Sequence, residues 1–275
     1  MSCLACGNSV YRDLFVGIKS CSRCRFAWAD IKLSEDQWSQ IYNKNYFFGE
    51  EYLNYLEEEK ALRKNFQRNL NFMSSYCGKG KLLEIGCAYG FFLDEARKYY
   101  EVTGIDIHAE GCQYSKEKFG LSTQAGNFLT MPIEPRSYDA VAMWDMLEHV
   151  PNPQEFIAKA SDVLKDKGFL FFCTLDITSL LAKMQGRSWR QIHPPSHVSY
   201  FSRASLEIML KRLGFKTMAI KYFGEYRTWD NTWFNLLVLR LKQKNAYNFF
   251  KGLGFLKGEY YLNTFDHVYI AAQKN

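Results

Sequence analysis

Residues 82–91 (LLEIGCAYGF) constrain the fold of this chain more than any other segment. An apolar run leads into small residues at Gly86, Ala88 and Gly90 and then into a helical pattern, which predicts a strand, a tight turn and a helix. Small residues let a ligand approach the backbone closely, and the free N–H groups of a helix start suit an anionic group. The segment predicts a nucleotide-type site; a purely structural turn is the alternative.

Strand-like and helix-like segments alternate from residue 81 onward, which predicts an α/β fold with crossover helices between parallel strands. Strands are predicted at 81–85, 101–105, 122–125, 138–143, 169–174, 215–222 and 268–272, and helices at 91–100, 108–119, 153–164 and 203–213. The connections 175–200 and 223–265 are longer than usual, which favours functional inserts.

We divide the chain into a four-cysteine head (1–32), a helical cap over the cofactor or substrate (33–78) and a main domain (79–275). In the cap, Ser34 is predicted to begin a short helix at 35–42. The break after the cap is predicted at Gly78-Lys-Gly80.

The head contains Cys3-x-x-Cys6 and Cys21-x-x-Cys24, separated by fourteen residues. Two such pairs can place four thiolates around one tetrahedral ion, so the spacing predicts a structural zinc site. Two redox pairs are the alternative, but neither pair has the strand–helix context of a redox motif. A closed four-sulfur shell predicts a role in folding rather than in catalysis.

Asp106 ends the second predicted strand, twenty residues after Gly86. A carboxylate at this position can accept hydrogen bonds from both ribose hydroxyls of an adenosine. The Gly-x-Ala-x-Gly spacing differs from the Gly-x-Gly-x-x-Gly of dinucleotide-binding folds, which argues against NAD.

Five motifs follow one another: ExGxAxG at 84–90, GID at 104–106, GNF at 126–128, DMLEH at 145–149 and an apolar stretch with GFL at 168–170. Their order resembles that of class I S-adenosylmethionine (SAM) dependent methyltransferases. The resemblance covers about residues 80–275 and extends weakly to 46–49 (YFFG). It implies a Rossmann-like, doubly wound, mostly parallel seven-stranded sheet with an antiparallel last strand.

The resemblance also implies a SAM site. Its predicted residues are Tyr46, Glu84, Gly86, Ala88, Gly90, Asp106, Ile107, Asn127, Phe128 and Trp144. The methionine part would meet Glu84 and the glycine turn, the ribose Asp106, and the adenine Asn127 and Phe128. Asn127 replaces the aspartate common in the family, so its amide oxygen would meet the adenine amine. Trp144 either flanks the cofactor or belongs to the core.

Asp145, Glu148 and His149 follow the fourth predicted strand, at the edge of the sheet where ligands bind in such folds. His149 is a candidate base for a hydroxyl proton because the ordinary pKa of imidazole is near neutral. The motif is also similar to the Glu-x-x-Glu-His of ubiquinone-pathway O-methyltransferases, which implies a site for Mg²⁺ as a less favoured alternative. A loop-bracing role is the third interpretation.

The loop after the fifth predicted strand offers two further candidate bases, His193 and His197, around Pro-Pro. The stretch is similar to one in methyltransferases found with surface-polysaccharide enzymes. Trp189 and Arg190 are predicted to stack on a sugar and to pair with a phosphate. The alternative is that these histidines only hydrogen-bond the backbone.

Similar cysteine heads precede SAM domains in sugar methyltransferases, so we expect a sugar hydroxyl, nucleotide-linked or lipid-linked, as the acceptor. An RNA or protein methyltransferase is the alternative, although the chain shows no known RNA-binding motif. A non-enzymatic adaptor is not favoured, because Glu84, Gly86 and Asp106 are all present.

The net charge of +6 permits an anionic partner without selecting one, and no oligomeric state is indicated. Basic and aromatic residues at 238–258 predict an amphipathic lid or, alternatively, a peripheral membrane contact or a site for an anionic substrate. We find no signal peptide and no apolar run of about 20 residues, so we expect a cytoplasmic protein whose cysteines are thiols or metal ligands.

Overall fold

A computed structural model describes residues 2–31, 54–254 and 256–275. The strands are β1 Tyr11–Phe15, β2 Ile18–Cys21, β3 Ala27–Ala29, β4 Gly80–Ile85, β5 Tyr100–Asp106, β6 Thr123–Ala125, β7 Tyr138–Trp144, β8 Leu164–Leu175, β9 Ser199–Tyr200, β10 Phe215–Tyr222, β11 Glu225–Thr228, β12 Glu259–Leu262 and β13 His267–Lys274.

The α-helices are α1 Glu59–Ser74, α2 Phe91–Ala96, α3 Ala109–Phe119, α4 Pro153–Val163, α5 Leu180–Gln185, α6 Arg203–Arg212, α7 Trp229–Trp233 and α8 Lys244–Gly252. Leu147–His149 and Gly186–Ser188 form 3₁₀ turns, and Phe234–Arg240 forms a π-helix.

The central sheet has seven strands in the order β10-β13-β8-β7-β4-β5-β6. Strands β8, β7, β4, β5 and β6 are parallel, and β13 is antiparallel to both of its neighbours. The predicted Rossmann-like sheet with an antiparallel last strand is confirmed. All carboxyl ends of the parallel strands lie at one edge, where the loops carrying the predicted site residues meet.

The predicted elements differ from the structure in two places and are untested in a third. The helix expected at 91–100 ends at residue 96, because a turn at 97–99 brings Tyr100 into register with Gly80. Strand β8 begins at residue 164 rather than 169, because residues 166–168 form a bulge inside the strand, with Lys167 at φ 62°. The helix expected at 35–42 lies outside the described residues.

Both faces of the sheet are buried, because side chains alternate between two apolar clusters along each strand. Leu83, Val141 and Phe172 belong to one cluster, and Leu82 and Phe171 to the other. Near-continuous apolar strands are the sequence signature of a sheet covered on both sides.

The four-cysteine head forms one sheet with the main domain. Strands β1, β2 and β3 are joined by β9, in which Tyr200 is paired with Ala27 and Ser199 with Trp28. Strand β9 is the continuation of the loop that carries His193 and His197. The head therefore holds one end of that loop in register.

Side-chain contacts strengthen the same junction. The hydroxyl of Ser202 donates to the Cys24 carbonyl at 2.6 Å, and Arg212 donates to the Ala5 carbonyl at 2.6 Å. Ser202 also caps α6 by accepting from the backbone N–H of Ser205.

The insert at 223–265 contains the β11–β12 hairpin, α7, the π-helix and α8. It has its own small core around Phe234, Leu237 and Tyr247. Helix α8 leaves Phe249 63% exposed. Within the described parts of the chain, every helix is too short or too polar to cross a membrane.

Candidate active site

The glycine turn after β4 adopts the left-handed conformation that its small residues predict, with φ of 81° at Gly86, 43° at Ala88 and 80° at Gly90. A Cβ at Gly86 would lie 2.9 Å from Cγ of Met146, so only glycine fits there. Ala88 tolerates its φ because a carboxylate fixes the turn: its N–H donates to Asp106 Oδ2 at 2.7 Å.

Asp106 ties the ends of β4 and β5 together. Its Oδ1 accepts from the His108 N–H at 2.8 Å, while Oδ2 holds the glycine turn. Burial raises the pKa of this carboxyl, and the two backbone N–H groups oppose that shift. Each oxygen keeps a second lone pair, so the carboxylate can still accept from a ligand hydroxyl.

Glu84 is a buried acid, and one of its carboxylate oxygens is not hydrogen-bonded by the described residues. Its side chain is 2% exposed, and Oε2 has no hydrogen-bond partner among the described residues. Burial and the nearby Asp106 raise the pKa of Glu84 well above its ordinary value. A buried carboxylate of this kind is stabilised when a cation pairs with it, and the amine of a bound ligand can provide that cation.

One cavity of about 1680 Å³ brings most of the predicted residues together. The lining includes Glu84, Gly86, Ala88, Asp106, Ile107, Asn127, Phe128, Trp144, His149, His193 and His197. Gly90 is not in the lining; a Cβ there would meet Ser115 and Leu121, so this glycine serves packing against α3. Tyr46 lies outside the described residues.

The residues predicted to contact the adenine or to flank the cofactor differ in burial and in hydrogen bonding. Asn127 Oδ1 accepts from the Leu129 N–H at 3.0 Å, so part of its acceptor capacity is used within the loop. Phe128 is 2% exposed and packs on Phe156. Trp144 is also buried, edge-on to Phe92, and its indole N–H has no hydrogen-bond partner in the described part of the chain.

His149, His193 and His197 form a three-histidine cluster. The ring centroids of His193 and His197 are 3.9 Å apart, and those of His149 and His197 are 4.6 Å apart. His149 Nδ1 lies 3.1 Å from the Ser196 carbonyl, and His197 Nδ1 lies 3.0 Å from the Gln191 carbonyl. Since a carbonyl only accepts, both Nδ1 atoms carry the proton and both Nε2 atoms carry the lone pair.

Two imidazoles of this cluster are neutral at ordinary pH. Burial and the neighbouring His193 lower the pKa of His149 to about 4. Burial, His149 and His193 lower the pKa of His197 well below its ordinary value. A neutral imidazole accepts a proton, so the cluster has the protonation state that a base requires.

A second group, the Asp–Glu–His cluster of Asp145, Glu225 and His267, lines the same cavity. His267 Nδ1 lies 3.2 Å from Glu225 Oε1 and 3.8 Å from Asp145 Oδ1. Burial opposes the charged ring, but Glu225 and Asp145 prevail and raise the pKa of His267 to about 9. In spite of burial, His267 and Arg227 hold the pKa of Glu225 well below its ordinary range.

Glu148 lies beside both clusters. Burial and the charge of Asp145 raise its pKa to about 8, while the Thr174 hydroxyl donates to its Oε2 at 2.8 Å. Ligand atoms of Glu148, His149 and His197 lie within 4.8 Å of one another. The Asp145-Glu148-His149 set that the sequence suggested for Mg²⁺ is thus regrouped, since Asp145 belongs to the other set.

The sequence did not single out Glu225 or His267. His267 is the first residue of β13 and Glu225 the first of β11, and neither belongs to a motif. Their position at the start of elements beside the ligand edge was the available signal.

Trp189 lines the cavity, but its burial does not favour the predicted stacking on a sugar. The side chain is 2% exposed, and its indole N–H donates to Asp266 Oδ2 at 3.0 Å. It packs with Leu175 and Ala182 in a buried cluster that supports the histidine loop. Arg190, by contrast, is exposed and lines the cavity.

The four cysteines of the head converge, with all Sγ atoms within 4.8 Å of one another. The Cys3–Cys24 and Cys6–Cys21 Sγ distances are both 3.5 Å. A tetrahedral zinc with bonds of about 2.3 Å separates its sulfur ligands by about 3.8 Å. The cluster fits such an ion with a small adjustment.

Comparisons with known proteins show the family of the chain. A family model described as a methyltransferase domain matches residues 55–220. The chain is 34% identical over 103 residues to a ubiquinone biosynthesis O-methyltransferase of Pectobacterium carotovorum, covering 35% of this chain and 43% of that protein. It is 30% identical over 152 residues to the protein of that name from Chromobacterium violaceum, covering 53% and 63%.

The chain therefore spans about half the length of the curated relatives it matches. Among solved structures, a SAM-dependent methyltransferase from Methanosarcina mazei superimposes with a TM-score of 0.51 at 18% identity, covering 74% of this chain and 96% of that one. At this identity the likeness shows the fold.

Proposed function

Since the chain belongs to the methyltransferase-domain family, we propose that it is a SAM-dependent methyltransferase that methylates a hydroxyl group of a small-molecule acceptor. The observation that carries this proposal is the three-histidine cluster, which lies in the cavity of the glycine turn and in which the imidazoles of His149 and His197 are neutral.

The residues of the turn fit SAM. Glu84 would pair with the ammonium group of the cofactor, which meets the need of its unpartnered buried oxygen. Asp106 would accept hydrogen bonds from the ribose hydroxyls. Gly86 has no side chain and leaves the backbone of the turn accessible to the cofactor. The bound cofactor supplies an electrophilic methyl group on a sulfonium.

The histidines would act on the acceptor. A hydroxyl oxygen that takes a methyl group must lose its proton, and Nε2 of His149 or His197 is the acceptor for that proton. The Ser196 and Gln191 carbonyls hold the two Nδ1–H groups and so fix the ring orientations. Burial keeps both rings neutral before the reaction.

The acceptor we propose is a sugar hydroxyl, which rests on the resemblance of the head and histidine loop to those of sugar methyltransferases. A phenolic acceptor of the ubiquinone type is the second candidate, because the curated relatives carry that name. Divalent-metal assistance would use Glu148, His149 and His197, whose ligand atoms lie together. Full activity in EDTA after removal of free metal would exclude this assistance.

The cofactor assignment is tested by calorimetric titration of S-adenosylhomocysteine into the purified chain. We expect D106A to weaken binding at least tenfold and H149A or H197A to change it less than threefold. Wild-type protein that binds neither SAM nor its product would refute the proposed function.

The base is tested by turnover with a panel of free sugars, nucleotide sugars and catechols. We expect H149A or H197A to reduce turnover by about 10²–10⁴-fold, the usual contribution of a general base. If both variants retain wild-type turnover, neither histidine is the base.

We also propose that the head holds one structural Zn²⁺ on Cys3, Cys6, Cys21 and Cys24, because their sulfur atoms converge. Elemental analysis should give one zinc per chain, and C21S should lose it. Full retention of zinc in C21S, with C77S as the matched control, would refute this site.

A further inference from the structure

Val198 follows His197 directly and connects the four-cysteine head to two members of the three-histidine cluster. Its carbonyl accepts from the Ala29 N–H of β3 at 2.9 Å, and its own N–H donates to the Glu148 carbonyl at 2.9 Å. Glu148 precedes His149 in the 3₁₀ turn after β7. One buried residue thus joins the head, by backbone hydrogen bonds, to the segments that carry His197 and His149.

The side chains of β9 hold the same two segments. The Tyr200 hydroxyl donates to the His197 carbonyl at 2.7 Å. The Ser199 hydroxyl donates at 2.7 Å to the carbonyl of Val150, the residue after His149. Tyr200 is fully buried and Ser199 is 1% exposed, so bulk water does not replace either donor. Each hydroxyl therefore fixes the backbone beside one candidate base.

Strand β9 is itself fixed by the head. Its pairing with β3 sets its register, and β3 pairs on its other side with β2, which ends at Cys21. Val198 and Tyr200 also pack with Ile18 and Ala27 of the head in one buried apolar cluster. A displacement of β3 would therefore displace the backbone that supports the histidines.

These contacts lie behind the cavity. In this segment the lining ends at His197, so Ser199 and Tyr200 are placed to act on the histidines and not on a ligand. The Gln191 and Ser196 carbonyls, which orient the two imidazoles, belong to the loop that β9 ends. The backbone behind a base matters for the reaction, because a displacement of about 1 Å can lower a rate about 10²-fold.

We propose that Tyr200 and Ser199 are positioning residues, through which the four-cysteine head holds His197 and His149 in the geometry that proton transfer requires. Tyr200 acts on His197, and Ser199 acts on His149. This inference rests on the proposed function. It gives the head a part in turnover, although residues 2–31 lie outside the lining of the cavity.

The test observes the imidazoles directly, in the full chain labelled with ¹⁵N-histidine. Long-range ¹H–¹⁵N spectra, assigned with H149Q and H197Q, should show the Nδ1–H tautomer of both rings in the wild type. In Y200F the two ¹⁵N shifts of His197 should move toward each other, as in a mixture of tautomers, and S199A should do the same to His149. The affinity for S-adenosylhomocysteine should change less than twofold in both variants.

Tyr100→Phe is the matched control. The Tyr100 hydroxyl is also buried and also donates to a backbone carbonyl, that of Cys77, but Tyr100 lies outside the lining of the cavity. We expect Y100F to lose stability much as Y200F does and to keep the wild-type spectra of both histidines. The comparison separates positioning of the rings from a general weakening of the core.

The connection to the head is tested by Ala29→Pro. Proline has no N–H, so this variant loses the donor to the Val198 carbonyl and should show the tautomer mixture at both His149 and His197. With the panel acceptor that the wild type methylates fastest, kcat should fall about tenfold in Y200F, while the KM for SAM changes less than twofold.

Unchanged histidine spectra in Y200F, S199A and A29P would overturn the inference, as would the same spectral change in Y100F as in Y200F. In either case intact S-adenosylhomocysteine binding would leave the proposed function standing. S199A and A29P decide the inference if Y200F does not fold.

Discussion

Two clusters that contain histidine line the same cavity, and the pKa values of His149 in one and His267 in the other shift in opposite directions. In the three-histidine cluster, burial lowers the pKa of His149 to about 4. In the Asp–Glu–His cluster, Glu225 and Asp145 overcome burial and raise the pKa of His267 to about 9. His149 is half-buried and His267 is buried, so exposure alone does not explain why the two shifts have opposite directions.

The groups beside each ring decide whether the histidine is charged. His149 faces a backbone carbonyl, which orients the ring without charge, whereas His267 faces two carboxylates. A buried ring beside neutral dipoles stays neutral, and the same ring beside carboxylates becomes a cation. One cavity thus offers both a proton acceptor and a fixed positive charge.

The largest expected effect comes from removing the cation of the Asp–Glu–His cluster. His267→Ala leaves Glu225 with only Arg227 and leaves the half-exposed Asp145 without this partner. Breaking a buried pair costs up to about 3–5 kcal/mol, so we expect a loss below the top of that range. Urea denaturation should show this loss of stability. The double variant H267Q/E225Q removes both charges and should recover part of the loss; a His267→Ala loss below about 1 kcal/mol would contradict the assignment of a buried ion pair.

The fall in folding stability at alkaline pH, the alkaline limb of the stability–pH profile, should depend on His267. Its folded pKa of about 9 lies above the unfolded value of 6.5, so the stabilisation is complete below pH 6.5 and is lost as the pH rises to about 9. The full loss is roughly 3 kcal/mol. Denaturation midpoints between pH 6 and 9 measure it, and the limb should flatten in H267Q.

The acid limb should depend on His149, with the opposite sign. Its folded pKa of about 4 lies below 6.5, so the unfolded state takes up a proton first and stability falls as the pH drops from 6.5 to about 4. The loss is roughly 2–3 kcal/mol, less than the ideal value because the ring is only partly buried. An unchanged acid limb in H149Q would show that this ring is not the group responsible.

The smallest expected effect concerns Glu148, between the two clusters. Thr174→Val removes the hydroxyl that donates to Glu148 Oε2 and should raise the pKa of Glu148 further above about 8. We expect a stability loss of about 1 kcal/mol, the value of one buried hydrogen bond. Thr174→Ser keeps the donor and should behave like the wild type; equal losses in both variants would assign the effect to packing.

The sheet was predictable from sequence because its signals are local. The strand at 81–85 and the turn at Gly86 follow from apolar runs and small residues within ten positions. The approach of Asp106 to Ala88 follows from parallel pairing of consecutive strands. Each inference used neighbours in sequence or in the sheet.

Other features depend on distant partners, which no local sequence pattern specifies. Trp189 is buried because Asp266, 77 positions away, accepts its N–H. His267 meets Glu225 only after the insert folds back as a hairpin. Strand β9 has two residues, too few for any periodicity, and exists because β3 pairs with it.

That pairing has a consequence for how such proteins can diverge. Because β9 completes the sheet of the head and also ends the histidine loop, a change in the backbone of one segment constrains the other. Exchanging the head between relatives would demand matching changes at Ser199 and Tyr200, more than a hundred positions downstream. A relative with a changed histidine loop must keep the pairing of β9 with β3, the last strand of the four-cysteine head.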